Sequence, residues 1–360
     1  MRTRQARLAA AAAVAAAVLV VAAAGCGGRG GGSSPTPSGS GATVGRIAIV
    51  TPEKANDFGW NQQGVAAVKQ AATRTGATAV IQDGAGYGDI APILEQLSAG
   101  KPGLIVAWAS GYNTVAPQMA REHGIPTLIV GAGEGSDVRG LVADVETNAQ
   151  NGAYLAGILA ARTTRSGTLA IVVSAEDENW TKMSGGFIGG ARSVTPAIRI
   201  LYVQIGQAGY ADAAGGQRVT EGAIAGGADV IFGMGDGASF GMLRAVETAT
   251  PPKGADKLWF VDVIGDKSPL DKHGVYLSSV VWDFTPLLEQ AVHDIERGSF
   301  GEHTYWLGLD NGIGLLHSRW IPAAVWGELE KARRAIMDGS IKVPLTKTGA
   351  EVKAFLKSGQ

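Results

Sequence analysis

The fold of this chain is indicated first by residues 47–72, IAIVTPEKANDFGWNQQGVAAVKQAA. The segment opens with the short apolar run Ile47–Val50, which is typical of a buried strand. A polar loop follows, and from Gln63 to Ala72 the apolar residues recur at helical spacing. This pattern predicts the first strand–helix unit of an open α/β sheet, in which ligands bind beyond the carboxyl ends of the strands. The polar loop therefore lies at the mouth of a predicted site.

Trp60 is the unusual residue of this loop, because a large indole needs an apolar partner, a ligand or a neighbouring chain. Asp57 and Asn61 lie beside it in the sequence. They are candidates to bind a ligand, but Asp57 is equally suited to cap the helix that follows. Trp108 and Trp180 are further aromatic candidates, and for each of them the alternatives of core packing and cleft lining remain open.

The N-terminus has the features of an export signal. Three arginines precede an apolar run over residues 8–24, which ends in small residues directly before Cys26. Such a sequence is typical of a secretory signal peptide, and its end resembles a bacterial lipobox. A transmembrane anchor is the alternative, but the run is short and rich in alanine. We therefore predict a signal peptide over residues 1–25 and lipid attachment at Cys26, the single cysteine of the chain.

Residues 26–43 are rich in glycine, serine, proline and threonine and predict a flexible tether. Of the 31 basic residues, three lie in the predicted signal peptide, which leaves 28 against 32 acidic residues and a formal charge of −4. This balance, without a basic run, argues against a nucleic-acid partner. The five histidines are scattered, and the glycine-rich stretch 235–241 is too weak a motif to indicate a dinucleotide. We predict no metal, no cofactor and no catalytic residue.

Apolar strands alternate with helical segments over residues 45–130, and a second alternating set begins near residue 169. Fully apolar strands alternating with helices indicate parallel sheets that are covered on both faces. The two sets predict two lobes, each a doubly wound α/β sheet.

Several motifs together resemble the basic membrane lipoprotein family, the substrate-binding proteins of ABC transporters that include purine-nucleoside receptors. The first motif is the loop KANDFGWNQQG at 54–64, and it is followed in order by ETNAQNGAYLAGILAA, GGFIGGARSVTP, TEGAIAGGADVIFGMGDGASFG and FVDVIGDKSPL. The match covers essentially the whole chain after the predicted signal peptide. It implies a two-lobed periplasmic-binding-protein type I fold with several crossovers in the hinge.

With this fold in mind, we predict lobe 1 over residues 44–146 and 262–303 and lobe 2 over residues 147–261 and 304–338. Residues 339–360 are expected to form a C-terminal tail. The strands near residues 258–281 are then expected to complete the first sheet.

The resemblance also implies ligand contacts in the first lobe. Trp60 matches the family's aromatic residue that stacks on the purine, Asn61 matches the amide beside it, and Asp57 matches the acidic position before it. Asp144, at the end of the last strand before the hinge, matches the acid that hydrogen-bonds the edge of the purine.

In the second half of the chain, Phe232 is the candidate for the second stacking aromatic, and Gly235 would let the ligand approach the backbone. Asp266 matches the family's ribose-binding carboxylate. Where the family often has a lysine that bonds the ribose, this chain has Trp282. The base half of the site is therefore expected to be kept and the sugar half to be altered.

The implied function is that of a lipid-anchored solute-binding protein on the extracytoplasmic face of the cell membrane. It would bind a purine nucleoside, a nucleobase or another flat heterocycle in the interlobe cleft, as a monomer, and deliver it to an ABC permease. Two alternatives remain open, a ligand sensor for a signalling partner and a cleft enzyme acting on a nucleoside. For an enzyme, the sequence offers only carboxylates as candidate general bases.

Overall fold

In the computed structural model, which describes residues 43–133, 135–207 and 209–358, the chain forms two six-stranded sheets. The predicted signal peptide, nearly all of the tether, and Cys26 lie outside the described residues. None of the described helices is long and apolar enough to cross a membrane.

The first sheet has the strand order β11-β5-β4-β3-β1-β2, and all its strands run parallel. Its strands are β1 (Arg46–Val50), β2 (Thr78–Gln82), β3 (Leu104–Ala107), β4 (Thr127–Val130), β5 (Val142–Thr147) and β11 (Tyr305–Leu307). The helices of this lobe are α1 (Trp60–Thr75), α2 (Ala91–Ala99), α3 (Val115–His123) and α8 (Thr285–Arg297). Helix α8 joins α1 through an ion pair of 2.8 Å between Arg74 Nη1 and Glu289 Oε1.

The second sheet has the order β12-β10-β9-β8-β6-β7, with only β12 antiparallel to its neighbour. Its strands are β6 (Thr168–Val173), β7 (Arg199–Gln204), β8 (Val230–Met234), β9 (Trp259–Ile264), β10 (Tyr276–Trp282) and β12 (Ile313–Leu315). The helices of this lobe are α4 (Ala149–Thr163), α5 (Glu178–Val194), α6 (Ala213–Ala225), α7 (Ser239–Thr248), α9 (Ala323–Met337) and α10 (Gly349–Lys357).

The central strands are buried along their whole length, as β3, β4, β6 and β8 show. Strands covered on both faces by helices have no solvent-facing side, which explains why their sequences are continuous apolar runs. Helices α4 and α5 approach so closely that a Cβ on Gly186 would meet the backbone oxygen of Gln150 at 2.1 Å. The two α/β lobes predicted from the alternating pattern are therefore confirmed.

The expected assignment of the strands near residues 258–281 to the first sheet is wrong. Strand β9 pairs with β8 and with β10, so both β9 and β10 belong to the second sheet. Strand β11, which lies in a range expected for lobe 2, instead pairs with β5 of the first sheet. A fully apolar strand fits the centre of either sheet, so its sequence does not mark the sheet it joins.

The expected C-terminal tail contains a helix, α10, which packs on the second lobe. Arg192 of α5 donates hydrogen bonds of 2.7 and 2.6 Å to the carbonyl oxygens of Phe355 and Leu356. These bonds satisfy carbonyl groups near the end of α10 that have no partner within the helix.

The chain crosses between the lobes three times in the described residues. The crossings follow β5, precede α8, and connect β11 with β12. These three connecting segments lie at one edge of the two lobes. They are the several hinge crossovers that the family resemblance implied. They leave the loops at the carboxyl ends of the sheets facing each other.

Candidate functional site

A cavity of about 100 Å³ lies between the lobes, at the carboxyl ends of the strands. From the first lobe it is lined by Pro52, Trp60, Tyr87, Ala109, Ser110, Val130 and Gly131. From the second sheet and its loops it is lined by Asp177, Asn179, Trp180, Tyr210, Asp236, Ile264 and Trp282. This is the position at which open α/β sheets bind ligands. Of the eight predicted ligand contacts, Trp60 and Trp282 line the cavity.

Trp60 is held in a fixed position by other aromatic side chains. Its ring stacks on that of Trp108, with centroids 4.7 Å apart and planes at 24°. The two indoles also exchange hydrogen bonds, since Trp60 Nε1 donates to the Trp108 carbonyl at 3.0 Å and Trp108 Nε1 donates to the Trp60 carbonyl at 2.9 Å. Phe284 meets both rings edge-on. Trp108 is therefore a buried core residue and is the apolar partner that Trp60 required, while part of Trp60 faces the cavity.

Asp57 and Asn61 have a structural role behind the cleft wall. The Asp57 carboxylate accepts hydrogen bonds from the backbone N–H groups of Gly59, Asn61 and Gln62 and from Asn61 Nδ2, at 2.8–3.0 Å. Asn61 Oδ1 accepts from the backbone of Glu53. These bonds satisfy the free N–H groups at the start of α1. The capping alternative for Asp57 is the one that the structure shows, and neither residue lines the cavity.

Asp144 is also turned away from the cavity. Its two carboxylate oxygens accept hydrogen bonds from the backbone N–H groups of Ala132 and Gly133, at 2.9 and 3.0 Å. Burial raises the pKa of Asp144 to about 6. The carboxylate supports the loop after β4, whose residues Val130 and Gly131 form the cavity wall.

Phe232 and Gly235 do not line the cavity either. Phe232 lies within β8 and stacks on Phe187 in the core of the second lobe, with centroids 4.6 Å apart and planes at 5°. A Cβ on Gly235 would meet the Ser239 backbone nitrogen at 2.9 Å, so a side chain is excluded there by the packing of the turn itself. The second-lobe aromatic residues that line the cavity are instead Trp180, Tyr210 and Trp282.

Asp266 is exposed and accepts a hydrogen bond of 2.8 Å from the backbone of Ser268. Its neighbour Lys267 is the residue that turns inward, where it is completely buried. The Lys267 ammonium lies 2.7 Å from Asp262 Oδ2, although not at a hydrogen-bonding angle. The expected ribose carboxylate is therefore at the surface, and a buried ion pair lies beneath the second-lobe side of the cleft.

Two aspartates that the sequence analysis did not select line the cavity. Asp177 caps α5, where its carboxylate accepts from the N–H groups of Asn179 and Trp180 and from the Tyr210 hydroxyl. Asp236 follows β8 and reaches across the cleft, since its Oδ1 accepts a hydrogen bond of 3.2 Å from the backbone N–H of Trp60. The sequence feature that could have identified Asp236 as a cleft residue is its position between two glycines directly after a strand.

The backbone is strained where the lobes meet. Phe58, Asp236 and Ile264 have positive φ angles of 51°, 46° and 66°, and a β-branched residue such as isoleucine rarely adopts this conformation. Such strain persists only where the surrounding structure enforces it, and it concentrates at functional sites. Here the two lobes touch at Gly265 and Phe58. The backbones are so close that a Cβ on Gly265 would lie 1.9 Å from the carbonyl oxygen of Phe58 in the other lobe.

Aromatic contacts add to the closure of the cleft. Phe58 of the first lobe meets Phe240 of the second edge-on, with centroids 6.3 Å apart. Tyr87 and Tyr210 stack across the cleft mouth, at 6.4 Å and 22°. The lobes are therefore in contact with each other on the side opposite the hinge crossings.

The cleft is electrostatically unbalanced. Asp177 and Asp236 are its two lining carboxylates, and none of the described lining residues is a lysine or an arginine. The pKa of Asp236 is raised to about 8, mainly by burial and also by the nearby Asp57 carboxylate, while Lys267 opposes the rise. Burial also raises the pKa of Asp177. Both shifts follow from placing negative charge in a poorly solvated space.

Among the described residues, one group of possible metal ligands occurs, and it lies outside the cleft. Glu95, Glu122 and His123 are exposed, and their ligand atoms lie within 4.8 Å of one another. His123 Nε2 is 3.2 Å from Glu95 Oε2. Exposed acidic groups of this kind are common in the absence of a metal, and none of the three lines the cavity.

The fold is similar to that of several solved structures, among them two solute-binding proteins. A solute-binding protein of an ABC transporter system from Aeropyrum pernix K1 has a TM-score of 0.72 at 17% identity, covering 87% of this chain and 98% of its own. Its counterpart from Conexibacter woesei DSM 14684 has a TM-score of 0.68 at 17% identity, covering 83% of this chain and 98% of its own. At this identity the likeness establishes the fold, which is of the predicted periplasmic-binding-protein type I.

Three curated proteins match part of the sequence, and they are from two genera. The ABC transporter nucleoside-binding protein BmpA of Lactococcus lactis subsp. cremoris is 25% identical over 205 residues, which cover 53% of this chain and 57% of that protein. The CD4+ T-cell-stimulating antigen of Listeria monocytogenes is 26% identical over 219 residues, 58% of this chain and 61% of that protein. The chain thus spans about three-fifths of the length of the curated relatives that it matches.

The family comparison covers almost the whole described chain. Residues 44–347 match the model of the ABC transporter substrate-binding protein PnrA-like family. This family consists of substrate-binding proteins of ABC transporters. On the match over these residues, the chain belongs to the PnrA-like family of ABC transporter substrate-binding proteins.

Proposed function

We propose that this chain binds a flat heterocycle of the nucleoside or nucleobase type in the interlobe cleft and delivers it to an ABC permease. The observation that carries the proposal is that three tryptophans, Trp60 from one lobe and Trp180 and Trp282 from the other, line one cavity. Flat apolar walls with a few polar groups suit an aromatic ligand. The name of the Lactococcus relative, a nucleoside-binding protein, agrees with this ligand class.

Lobe closure is the proposed mechanism. The cavity of about 100 Å³ is smaller than the roughly 300–1,000 Å³ usual for ligand pockets. A nucleoside therefore enters when the lobes separate, and it takes the place of direct contacts such as the Tyr87–Tyr210 stack when they close again. A ligand shifts this equilibrium only by as much as it binds one state better than the other. Walls contributed by both lobes satisfy that condition, because the binding surface is complete only in the closed state.

The titratable groups of the cleft are carboxyl groups and phenols. The titratable side chains that line it are Asp177, Asp236, Tyr87 and Tyr210. None of the described lining residues is a histidine, cysteine or lysine, the usual activated nucleophiles and proton shuttles. A sensor for a signalling partner would use the same cleft, so the permease remains a proposal drawn from the family.

A screen of ligands by thermal shift tests the proposed ligand class. We expect nucleosides or nucleobases to raise the melting temperature, because a ligand at 100 times its Kd adds about 2.7 kcal/mol of stability. Hexoses and amino acids serve as controls. Stabilisation by a hexose or an amino acid, with none by any heterocycle, would contradict the proposal. Recovery of the ligand unchanged after incubation would separate a receptor from an enzyme.

Trp60 variants test its double role in packing and binding. Trp60→Ala removes an aromatic stack worth about 0.5–1.5 kcal/mol and a hydrogen bond worth about 1 kcal/mol, so it should lower the stability of the protein without ligand by about 2 kcal/mol. It should also weaken ligand binding by about 1–3 kcal/mol. Trp60→Phe is the matched control, which keeps the stacking and loses mainly the indole hydrogen bond. Unchanged affinity in the Ala variant, measured by titration calorimetry, would restrict Trp60 to a packing role.

We also propose that the chain is a monomer anchored to the extracytoplasmic face of the cell membrane by a lipid on Cys26. The lipobox-like sequence before this residue and the extracytoplasmic family support the proposal. Cys26→Ser should release a folded protein that still binds ligand, measured by membrane fractionation and palmitate labelling. Continued labelling and sedimentation of the Ser variant with the membranes would refute the anchor.

A further inference from the structure

The cleft wall contains carboxylates without cations to balance them. Asp177 and Asp236 face the cavity, and no described lysine or arginine does so. Two buried lysines near the cleft are already paired, Lys267 with Asp262 at 2.7 Å and Lys182 with Glu178 at 2.8 Å. Glu53, the hydrogen-bond acceptor of Tyr87, adds a further acid behind the wall, at 3.3 Å from the hydroxyl. The ionisable groups at the cavity are therefore mainly acids, and no described lysine or arginine lines it.

The Asp236 carboxylate is only partly satisfied by the protein. Oδ1 accepts the hydrogen bond from the Trp60 N–H, while Oδ2 accepts none from the described residues. The start of α1 provides a partial positive charge at this point. That partial charge does not offset the burial, since the pKa of Asp236 is still raised to about 8. A carboxylate that is buried in this way is stabilised by a positive charge placed beside it.

The same cavity is lined by aromatic side chains. Five rings, those of Trp60, Tyr87, Trp180, Tyr210 and Trp282, line the same cavity as the two carboxylates. The faces of aromatic rings attract cations, by about 2 kcal/mol or more when the cation is removed from water. Rings also stack on a neutral heterocycle, but rings combined with two carboxyl groups that no lining cation balances favour a charged one.

We propose that the preferred ligand of this cleft carries a positive charge, as a flat cationic heterocycle held between the tryptophan rings with its charge beside Asp236 and Asp177. This inference rests on the proposed function and narrows its ligand class. A neutral nucleoside would leave both carboxylates without a counter-charge. A cationic ligand supplies the charge that the protein lacks on this surface.

Matched pairs of ligands test the inference on the wild-type protein. The first pair is 1-methyladenosine, which is protonated at neutral pH, against adenosine. The second is 1-methylnicotinamide, a permanent cation, against nicotinamide. Titration calorimetry should show that the cation of each pair binds at least about tenfold more tightly, since a factor of ten needs only about 1.4 kcal/mol.

Variants identify the groups that provide this preference. Asp236→Asn keeps an acceptor for the Trp60 N–H but removes the charge, so the ratio of affinities between cation and neutral partner should fall towards one. Asp177→Asn should act in the same direction. Asp256→Asn is the matched control, because it removes one negative charge from the exposed loop that precedes β9, and it should leave the ratio unchanged.

The outcomes separate this inference from the proposed function. Equal binding within both pairs, or tighter binding of the neutral partners, overturns the cationic ligand while leaving a heterocycle receptor. Absence of binding by these ligands and by every other heterocycle in the thermal-shift screen overturns both. A preference for cations that is unchanged in both Asp236→Asn and Asp177→Asn also contradicts the inference, because the carboxylates would then not be its source.

Discussion

The structure of the cleft depends on direct contact between the lobes, where the backbone N–H of Trp60 donates a hydrogen bond to Asp236 and Gly265 packs against the carbonyl oxygen of Phe58. The donor is the first residue of α1, and the acceptor lies in a strained turn after β8. A free N–H at a helix start and a buried carboxylate each need a partner, and here each lobe supplies what the other lacks. The contact can form only when the lobes are close, so it links closure of the cleft to the position of its aromatic wall.

The tryptophan cluster makes that wall rigid. Trp60 and Trp108 exchange hydrogen bonds and stack, so the ring that faces the cavity is fixed by the core behind it. A side chain that is held in place before binding loses less conformational freedom when a ligand arrives. The same cluster explains how a large indole can occupy a loop with a polar sequence, because the loop lies against the buried end of β3.

Periodicity was sufficient to predict the two sheets, since buried parallel strands and their helices have distinct patterns, while the hinge and the cleft between the lobes were implied in part by the family resemblance. Periodicity could not predict which sheet β9 joins, because an apolar strand fits either one. The directions of the side chains were predicted less well, because a shift of one position along the chain changes which side chain points inward. Thus Lys267 is buried where Asp266 was expected, and Asp57 caps a helix with the same atoms that a ligand would have used.

The most direct test of the account is the distance between the lobes, measured by pulsed electron resonance on spin labels. Cysteines at Lys69 and Arg218, both exposed and on opposite lobes, would carry the labels in a Cys26→Ser background. Gly265→Ala adds a methyl group that would lie 1.9 Å from the Phe58 carbonyl oxygen, while Gly45→Ala has no atom within 4 Å and is the control. The account predicts longer distances in Gly265→Ala than in the control. The same distance distribution in both variants would contradict the claim that this interlobe contact defines the closed cleft.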